Sequence, residues 1–329
     1  MIDAPGPWGT GPFVLTEGVS LIESRSDRVV MEPNESYWNP DRKPSVRIVY
    51  DNVIGKAEGL KSVAAGDGRV DVVFDVTPDE AKAFQGGEHA KIQTKGAKTI
   101  LTGVFNENKP DSPWTRPELR MALNAAIDRQ FVLDQGAHGY GTVIPAFIQP
   151  GRYGADASMV PIQLDVEAAK AALADLPSRE IVVVASPPWK GVVDAIGQCL
   201  SKVGLTVRPV ITKDDPPEDF DVKIEWYFDW TPQYPVACVH REFFGKDGVL
   251  KQGPADPEFD ALYDKLLKTN EQQAQEGVVR EVERYIQDKA KALFLYSPFT
   301  LFAVSNRVAF TPYDTCMSEL AETRIKDQS

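Results

Sequence analysis

The sequence predicts an α/β protein of two compact units, on three observations. At 329 residues the chain has room for about two domains of roughly 150 residues each. The stretch up to about residue 105 reads mainly as short strands and turns, and the rest of the chain is richer in helices. Between residues 180 and 211 a strand, a helix and a strand follow one another, an order that implies a right-handed crossover and parallel pairing. A hydrophobic content of 43% supplies a proper core and excludes wholesale disorder.

Residues 13–16 and 28–32 are β-rich runs on either side of a polar stretch, 24–27. Residues 46–50 give another strand, and 56–64 a helix with Leu60, Val63 and Ala64 at helical spacing. Asp67-Gly68 turns the chain into a strand at 70–74, and Thr77-Pro78-Asp79-Glu80 spells a helix start. Residues 98–106 form a strongly apolar strand that runs into a polar loop, 106–112.

Thr115-Arg116-Pro117-Glu118 spells a capping box with an early proline, ahead of Leu119, Ala122, Leu123, Ala126 and Ile127 on one face. Asp128 caps a second helix through Leu133, and 165–176 is an alanine-rich helix. Strand 180–185, helix 190–202 and strand 205–211 make the crossover unit; the acidic loop 214–219 then precedes a strand at 222–227. Asp256-Pro257 opens a helix with Phe259, Leu262, Tyr263, Leu266 and Leu267 inward. Residues 272–289 carry the clearest stripe, Val278, Val279, Val282, Tyr285 and Ile286, and 293–304 reads as one or two buried strands.

A formal net charge of −12 argues against a nucleic-acid partner and against an anionic membrane surface. The longest run without charged side chains, 292–306, contains Pro298 and is shorter than the roughly 20 apolar residues of a membrane helix. The three cysteines, Cys199, Cys238 and Cys316, are too scattered for a disulfide framework or a C-x-x-C metal site. Residues 1–8 show no basic n-region and no apolar h-region, so no secretory leader is expected there. That leaves a cytoplasmic protein or the later part of a longer, exported one.

Gly9-x-Gly11 lacks the third glycine, the lysine and the following helix of a phosphate loop. Cys238 and His240 would share a face on a strand, but they are half a tetrahedral site, and the other histidines, His89 and His138, stand at no ligand spacing from them. The acidic loop at 214–219 holds two prolines and no glycine, which suits a solvated loop better than a calcium site. Neither a G-x-S-x-G elbow nor an H-E-x-x-H helix is present, so hydrolase chemistry has no visible constellation, and no catalytic residue or metal ligand is assigned. The segment Trp226-Tyr227-Phe228-Asp229-Trp230-Thr231-Pro232 is different. A carboxylate among aromatic rings at a strand end suits an ammonium or other cationic group, by ion pairing and cation–π contact. The residues alone equally allow Trp226 and Trp230 in the core and Asp229 as a turn cap.

Five stretches carry a resemblance. Gly9-Thr-Gly-Pro-Phe-Val-Leu15 is similar to a G-T-G-P-F/Y strand, and Arg28-Val-Val-Met-Glu-Pro-Asn-Glu-Ser-Tyr-Trp38 to a strand followed by an N-x-x-Y-W turn. Gly68-Arg-Val-Asp71 resembles a G-E-V-D hairpin. Pro117-Glu-Leu-Arg-Met-Ala-Leu-Asn-Ala-Ala-Ile-Asp-Arg129 is similar to a V-R-x-A-L-N-x-A-I-D-R helix, the most specific of the five. Glu225-Trp-Tyr-Phe-Asp229 sits where a G-W-x-x-D cleft segment belongs. In this order and spacing they resemble the solute-binding proteins of ABC importers in the peptide and nickel class, bacterial extracellular family 5.

The resemblance implies a class II periplasmic binding protein-like α/β fold, two lobes joined by a two-crossing hinge. Lobe one would hold residues 1–105 and 300–329, lobe two 106–299, with crossings near Val104-Phe-Asn106 and Pro298-Phe-Thr300. Family members carry a leader, more of lobe one and an inserted subdomain before the G-T-G-P strand, so lobe one is expected to be incomplete. The strand at 13–15 would then lack a neighbour, and a homodimer, a partner segment or a rearranged sheet is expected to hide that edge. The implied ligand-binding residues are Trp226, Tyr227, Asp229, Trp230, Phe105 and Asn106, with Asp229 where the peptide-binding branch places its amine-binding carboxylate. The implied function is capture of a small solute or peptide-like ligand with an amine or amide group, in an interlobe cleft, for an ABC permease. No cofactor is implied, and the place of action is periplasmic or extracellular. The rival reading is a cytosolic ligand sensor or an enzyme built on a truncated binding-protein fold.

Overall fold

The computed structural model describes residues 9–19, 24–96, 99–228, 235–312 and 320–326. The chain divides into two units, Met1–Lys95 with Thr300–Ser329, and Gly96–Phe299. The first division thus falls ahead of the apolar strand at 98–106, not at its end. The reason is packing: all seven residues of Thr99–Phe105 are buried, and they pair within the second unit.

The first unit opens with β1 (Phe13–Glu17), β2 (Arg28–Pro33) and β3 (Ile48–Asp51), an antiparallel sheet in the order β1-β2-β3. Asn34, just after β2, donates through Nδ2 to the Gly11 carbonyl at 2.9 Å and accepts the Ser36 amide at 3.0 Å. One side chain therefore ties the N-x-x-Y-W turn to the Gly9–Gly11 bend. Helix α1 (Lys56–Ala65) stops at Gly66, whose φ of +66° and whose approach to the His89 ring leave no room for a side chain. Strand β4 (Val72–Val73) follows, then α2 (Pro78–Ala83), opened by the capping box that the sequence spells. The Glu80 amide donates to Thr77 Oγ1 at 3.2 Å, and the Thr77 amide donates to Glu80 Oε2 at 2.8 Å. Strand β5 (Ala90–Gly96) was not legible, because its residues are mostly polar and half-exposed.

The second unit is the α/β body. Its elements are β6 (Thr99–Phe105), α3 (Pro117–Ala125), α4 (Arg129–Ala137), β7 (Gly141–Val143), α5 (Val166–Ala172), β8 (Glu180–Ala185), α6 (Lys190–Lys202), β9 (Thr206–Ile211), β10 (Val222–Phe228), α7 (Pro235–Val239), α8 (Pro257–Lys268), α9 (Gln272–Asp288) and the start of β11 (Leu293–Ser305). Strand order is β11-β6-β10-β8-β9, with β8 parallel to β9 across α6, as the β-α-β order required. Alternate residues of β6 feed two cores: Leu101 and Phe105 join Ile181, Val183, Val222 and Ile224, while Ile100 and Val104 join Phe147, Tyr227, Phe243 and Val282. Both faces are covered, which is why these strands read as apolar runs without alternation.

The most specific motif of the sequence proves to be a brace. Asp128 caps α4, accepting the Phe131 amide at 3.0 Å. Arg120 and Arg129 are buried, and their guanidinium groups donate to the carbonyls of Lys289, Ala290 and Phe294, at the join between α9 and β11. Two local expectations fail. Thr115 does not cap α3: its hydroxyl donates to the Ser112 carbonyl at 3.0 Å inside a tighter turn, Pro113–Thr115, which Ser112 caps. Leu267 is 62% exposed, because Phe259 and Leu266 hold the buried line of α8 and Leu267 sits about a quarter-turn off it. The 293–304 segment is one strand, β11, whose residues from Thr300 onward return to the first unit. There Ala303 and Val304 pair with β4, and Phe302 joins Phe74 and Phe310 in a cluster of edge-on rings.

Candidate functional site

Since β8 and β9 are parallel and β10 is parallel to β8, the carboxyl ends of all three lie at one edge of the second unit's sheet. Open α/β sheets take their ligands outside that edge. Strand β10 reaches farthest. Its ladder with β8 covers Val222 and Lys223, opposite Val183 and Val184, while its ladder with β6 continues to Phe228 opposite Thr99. Glu225 to Phe228 therefore project past Ala185, the last residue of β8.

On this projection Trp226 is 49% exposed, while Ile224, two residues back on the same face, is buried. The apolar core under that face ends between them and leaves an indole at the rim. Glu225 is ion-paired with Lys223 on the opposite face. Asp229 and Trp230 lie outside the described residues.

The remaining expected ligand residues are elsewhere. Tyr227 is buried, its ring edge-on to Phe147 at 6.1 Å and to Phe243 at 5.1 Å, so it is part of the core and not a wall of the site. Phe105 is buried against Trp114 at 5.4 Å between ring centres. Asn106 is buried too, with every polar atom of its side chain engaged: Nδ2 donates to the Glu218 and Phe220 carbonyls, and Oδ1 accepts the Asn108 and Lys109 amides. Because β6 and β10 are antiparallel, Phe105 faces Val222, four positions from Trp226. That is about 13 Å along the strand at roughly 3.3 Å per residue. Phe105 and Asn106 thus close the far end of the ladder and do not join the Trp226 surface.

Asp221 organises that far end. Its Oδ1 accepts Trp114 Nε1 at 3.0 Å and Lys109 Nζ at 2.9 Å, and its Oδ2 accepts the Val182 amide at 2.8 Å. Cys238 and His240 are not on a strand: α7 carries the first and a wider turn, His240–Phe244, the second, so they share no face. The His240 ring is instead stacked on Tyr263 at 3.9 Å, with Nε2 3.0 Å from Asp260 Oδ1. Among the described residues no group of three or more His, Cys, Asp or Glu side chains is placed to hold a metal ion.

Sequence reasoning missed Glu283. It stands within the buried stripe of α9, beside Val279, Val282 and Ile286, and burial raises its carboxyl to about 7, against the lowering effect of the Ile148 and Phe147 amides. Its position among those apolar residues was the available signal.

Known proteins share this fold. Residues 3–237, more than two thirds of the chain, match the model of the bacterial extracellular solute-binding proteins, family 5 (middle region). A probable D,D-dipeptide-binding periplasmic protein, DdpA, of Escherichia coli K12 is 21% identical over 321 residues, which covers 91% of this chain and 59% of that protein. The chain therefore spans about three fifths of that relative's length. The nickel-binding periplasmic protein of the same organism is 26% identical over 171 residues, 51% of this chain and 31% of that protein. Among solved structures, the ABC transporter substrate-binding protein CtaP of Listeria monocytogenes superposes with a TM-score of 0.80 at 16% identity, covering 96% of this chain and 67% of the other. A dipeptide-binding protein of Pseudoalteromonas sp. SM9913, in complex with Met-Leu, gives 0.72 at 18% identity, covering 97% and 64%.

Proposed function

The chain belongs to the bacterial extracellular solute-binding proteins, family 5, and from that premise we propose that it captures a short peptide or peptide-like solute for an ABC importer. The observation that carries the reading is the exposed Trp226 on the projecting end of β10, at the sheet edge where α/β proteins bind ligands. In this reading Trp226 supplies an apolar wall, and Asp229 accepts a charge-assisted hydrogen bond from an ammonium or amide group of the ligand. Two of the relatives are named for dipeptides, which sets the ligand class proposed.

Capture is non-covalent and leaves the solute unchanged. The work is done outside the cytoplasm, where the relatives called periplasmic operate, and the solute passes on to a permease. Native mass spectrometry of the purified protein tests the reading. A retained solute with the mass of a short peptide, released by mild denaturation, supports it. Conversion of an added dipeptide into a product contradicts it and favours an enzyme on the same fold.

A further inference from the structure

The buried stripe of α9 is interrupted by one carboxyl group. Glu283 is 2% exposed, and burial of such a group is unfavourable unless its oxygens meet donors. Oε2 meets two, the backbone amides of Phe147 at 3.3 Å and Ile148 at 3.1 Å. Oε1 is buried and has no hydrogen-bond partner among the described residues. Those amides belong to an irregular segment whose residues Ile144 and Ala146 to Ile148 are all buried. Buried irregular backbone has no ladder to satisfy it and must find side-chain acceptors. An apolar side chain at 283 would fill the same space and leave both amides unsatisfied.

The segment that Glu283 holds leads to the end of β10. The Phe147 ring lies edge-on to Tyr227, next in the chain to Trp226. Two residues after Phe147, Gln149 Nε2 donates to the Thr99 carbonyl at 3.0 Å and to Ser297 Oγ at 2.8 Å. Ser297 Oγ donates to the same Thr99 carbonyl at 2.7 Å. Thr99 is the β6 residue opposite Phe228, the last residue of β10. One carboxyl group thus fixes a short stretch of backbone from which two supports reach the same strand end.

We infer that Glu283 is a positioning residue, which through Phe147 and Gln149 sets the place of the last residues of β10. Its meaning for ligand binding rests on reading that strand end as the binding surface; the relay itself stands on the contacts. Arg152 Nε also donates to Gln149 Oε1, at 3.4 Å.

Amide hydrogen exchange on the ligand-free protein tests the relay. Glu283→Leu should speed exchange at least tenfold at Phe147, Ile148 and residues 99–101 and 226–228, and leave Val222 and Lys223 near wild type. Glu283→Gln, whose carbonyl oxygen still accepts both amides, should restore protection. Gln149→Ala should loosen residues 99–101 and 226–228 while Phe147 and Ile148 stay protected. Uniformly faster exchange along α9 and both ends of β10 would make Glu283 a general stability residue and overturn the inference. If the leucine variant does not fold, unchanged exchange at 226–228 in Gln149→Ala overturns it as well. A preserved relay in a protein that binds neither Met-Leu nor any other dipeptide titrated contradicts the ligand reading alone, and a missing relay contradicts the positioning role whatever binds.

Discussion

Arg129 donates to Asn124 side chain to side chain at 2.9 Å, and both residues then reach β11: Arg129 Nε donates to the Phe294 carbonyl at 2.9 Å, and Asn124 Oδ1 accepts the Phe294 amide at 3.1 Å. A third arm of Arg129 donates to the Ile162 carbonyl at 2.8 Å. Burial lowers this guanidinium to about 10, so at neutral pH it is a charged group held by neutral acceptors. The motif in α3 and α4 that looks most like a family signature is thus a clamp on the strand that leaves the second unit.

Arg129→Lys should test the clamp. Lysine keeps the charge but has all its donors on one nitrogen, where Arg129 uses three separate nitrogens for three separate acceptors. Losing about two charge-assisted hydrogen bonds should lower unfolding stability by roughly 3 kcal/mol. Urea denaturation measures it, and a loss under about 1 kcal/mol would mean the clamp is idle.

Neighbouring residues on β10 should behave oppositely. Tyr227→Ala removes a core ring from among Phe147 and Phe243 and should cost about 3–5 kcal/mol. Trp226→Ala, at a half-exposed rim position, should leave the melting temperature nearly unchanged and alter ligand affinity instead. Equal destabilisation by both would return Trp226 to the core.

Asp221→Asn probes the far end of the ladder. The carboxylate gathers Trp114, Lys109 and the Val182 amide, and leaving the lysine unpaired beside a buried amide group should cost about 3 kcal/mol. Ligand affinity of the folded variant should stay at wild-type level, because Asp221 is at the opposite end of β10 from Trp226. A large loss of affinity in folded protein would contradict the separation of the two ends.

Glu283 should make stability depend on pH with a definite sign. Its carboxyl titrates near 4.5 when exposed and at about 7 in the fold, so between those values the folded state holds a proton that the unfolded chain has released. Its contribution is fully present below pH 4.5 and is lost as pH rises through about 7, with a slope of at most about 1.4 kcal/mol per pH unit. Denaturation midpoints at mildly acid and mildly alkaline pH should show this slope in the wild type and a flatter one in Glu283→Gln. The same slope in both would assign it to another group.

Local features were the legible ones in the sequence. The Thr77–Glu80 box, the Asp128 cap and the helix-strand alternation around α6 depend on residues close together in the chain, and each formed as spelled. The Thr115 box did not, because Ser112 lies close enough to take the same chain into a tighter turn. The candidate site was half legible. An aromatic run containing an acid marks a strand end, but which ring is buried depends on Phe147 and Phe243, and where Phe105 sits depends on antiparallel pairing with a strand more than a hundred residues away. A continuous apolar run carries no sign of which end faces a ligand. Glu283 is visible as a lone acid within the helical stripe, yet its acceptor role is set by backbone that no periodicity describes.

Calorimetric titration of Met-Leu, and of other dipeptides in turn, into the wild-type protein and Asp229→Asn tests the proposed capture most directly. The account predicts a saturable one-site isotherm for at least one dipeptide. The asparagine variant should bind it about 10- to 150-fold more weakly, the loss of one charge-assisted hydrogen bond, with an unchanged melting temperature when empty. A wild type that binds no dipeptide, or an Asp229→Asn protein that binds normally and melts early, would contradict it.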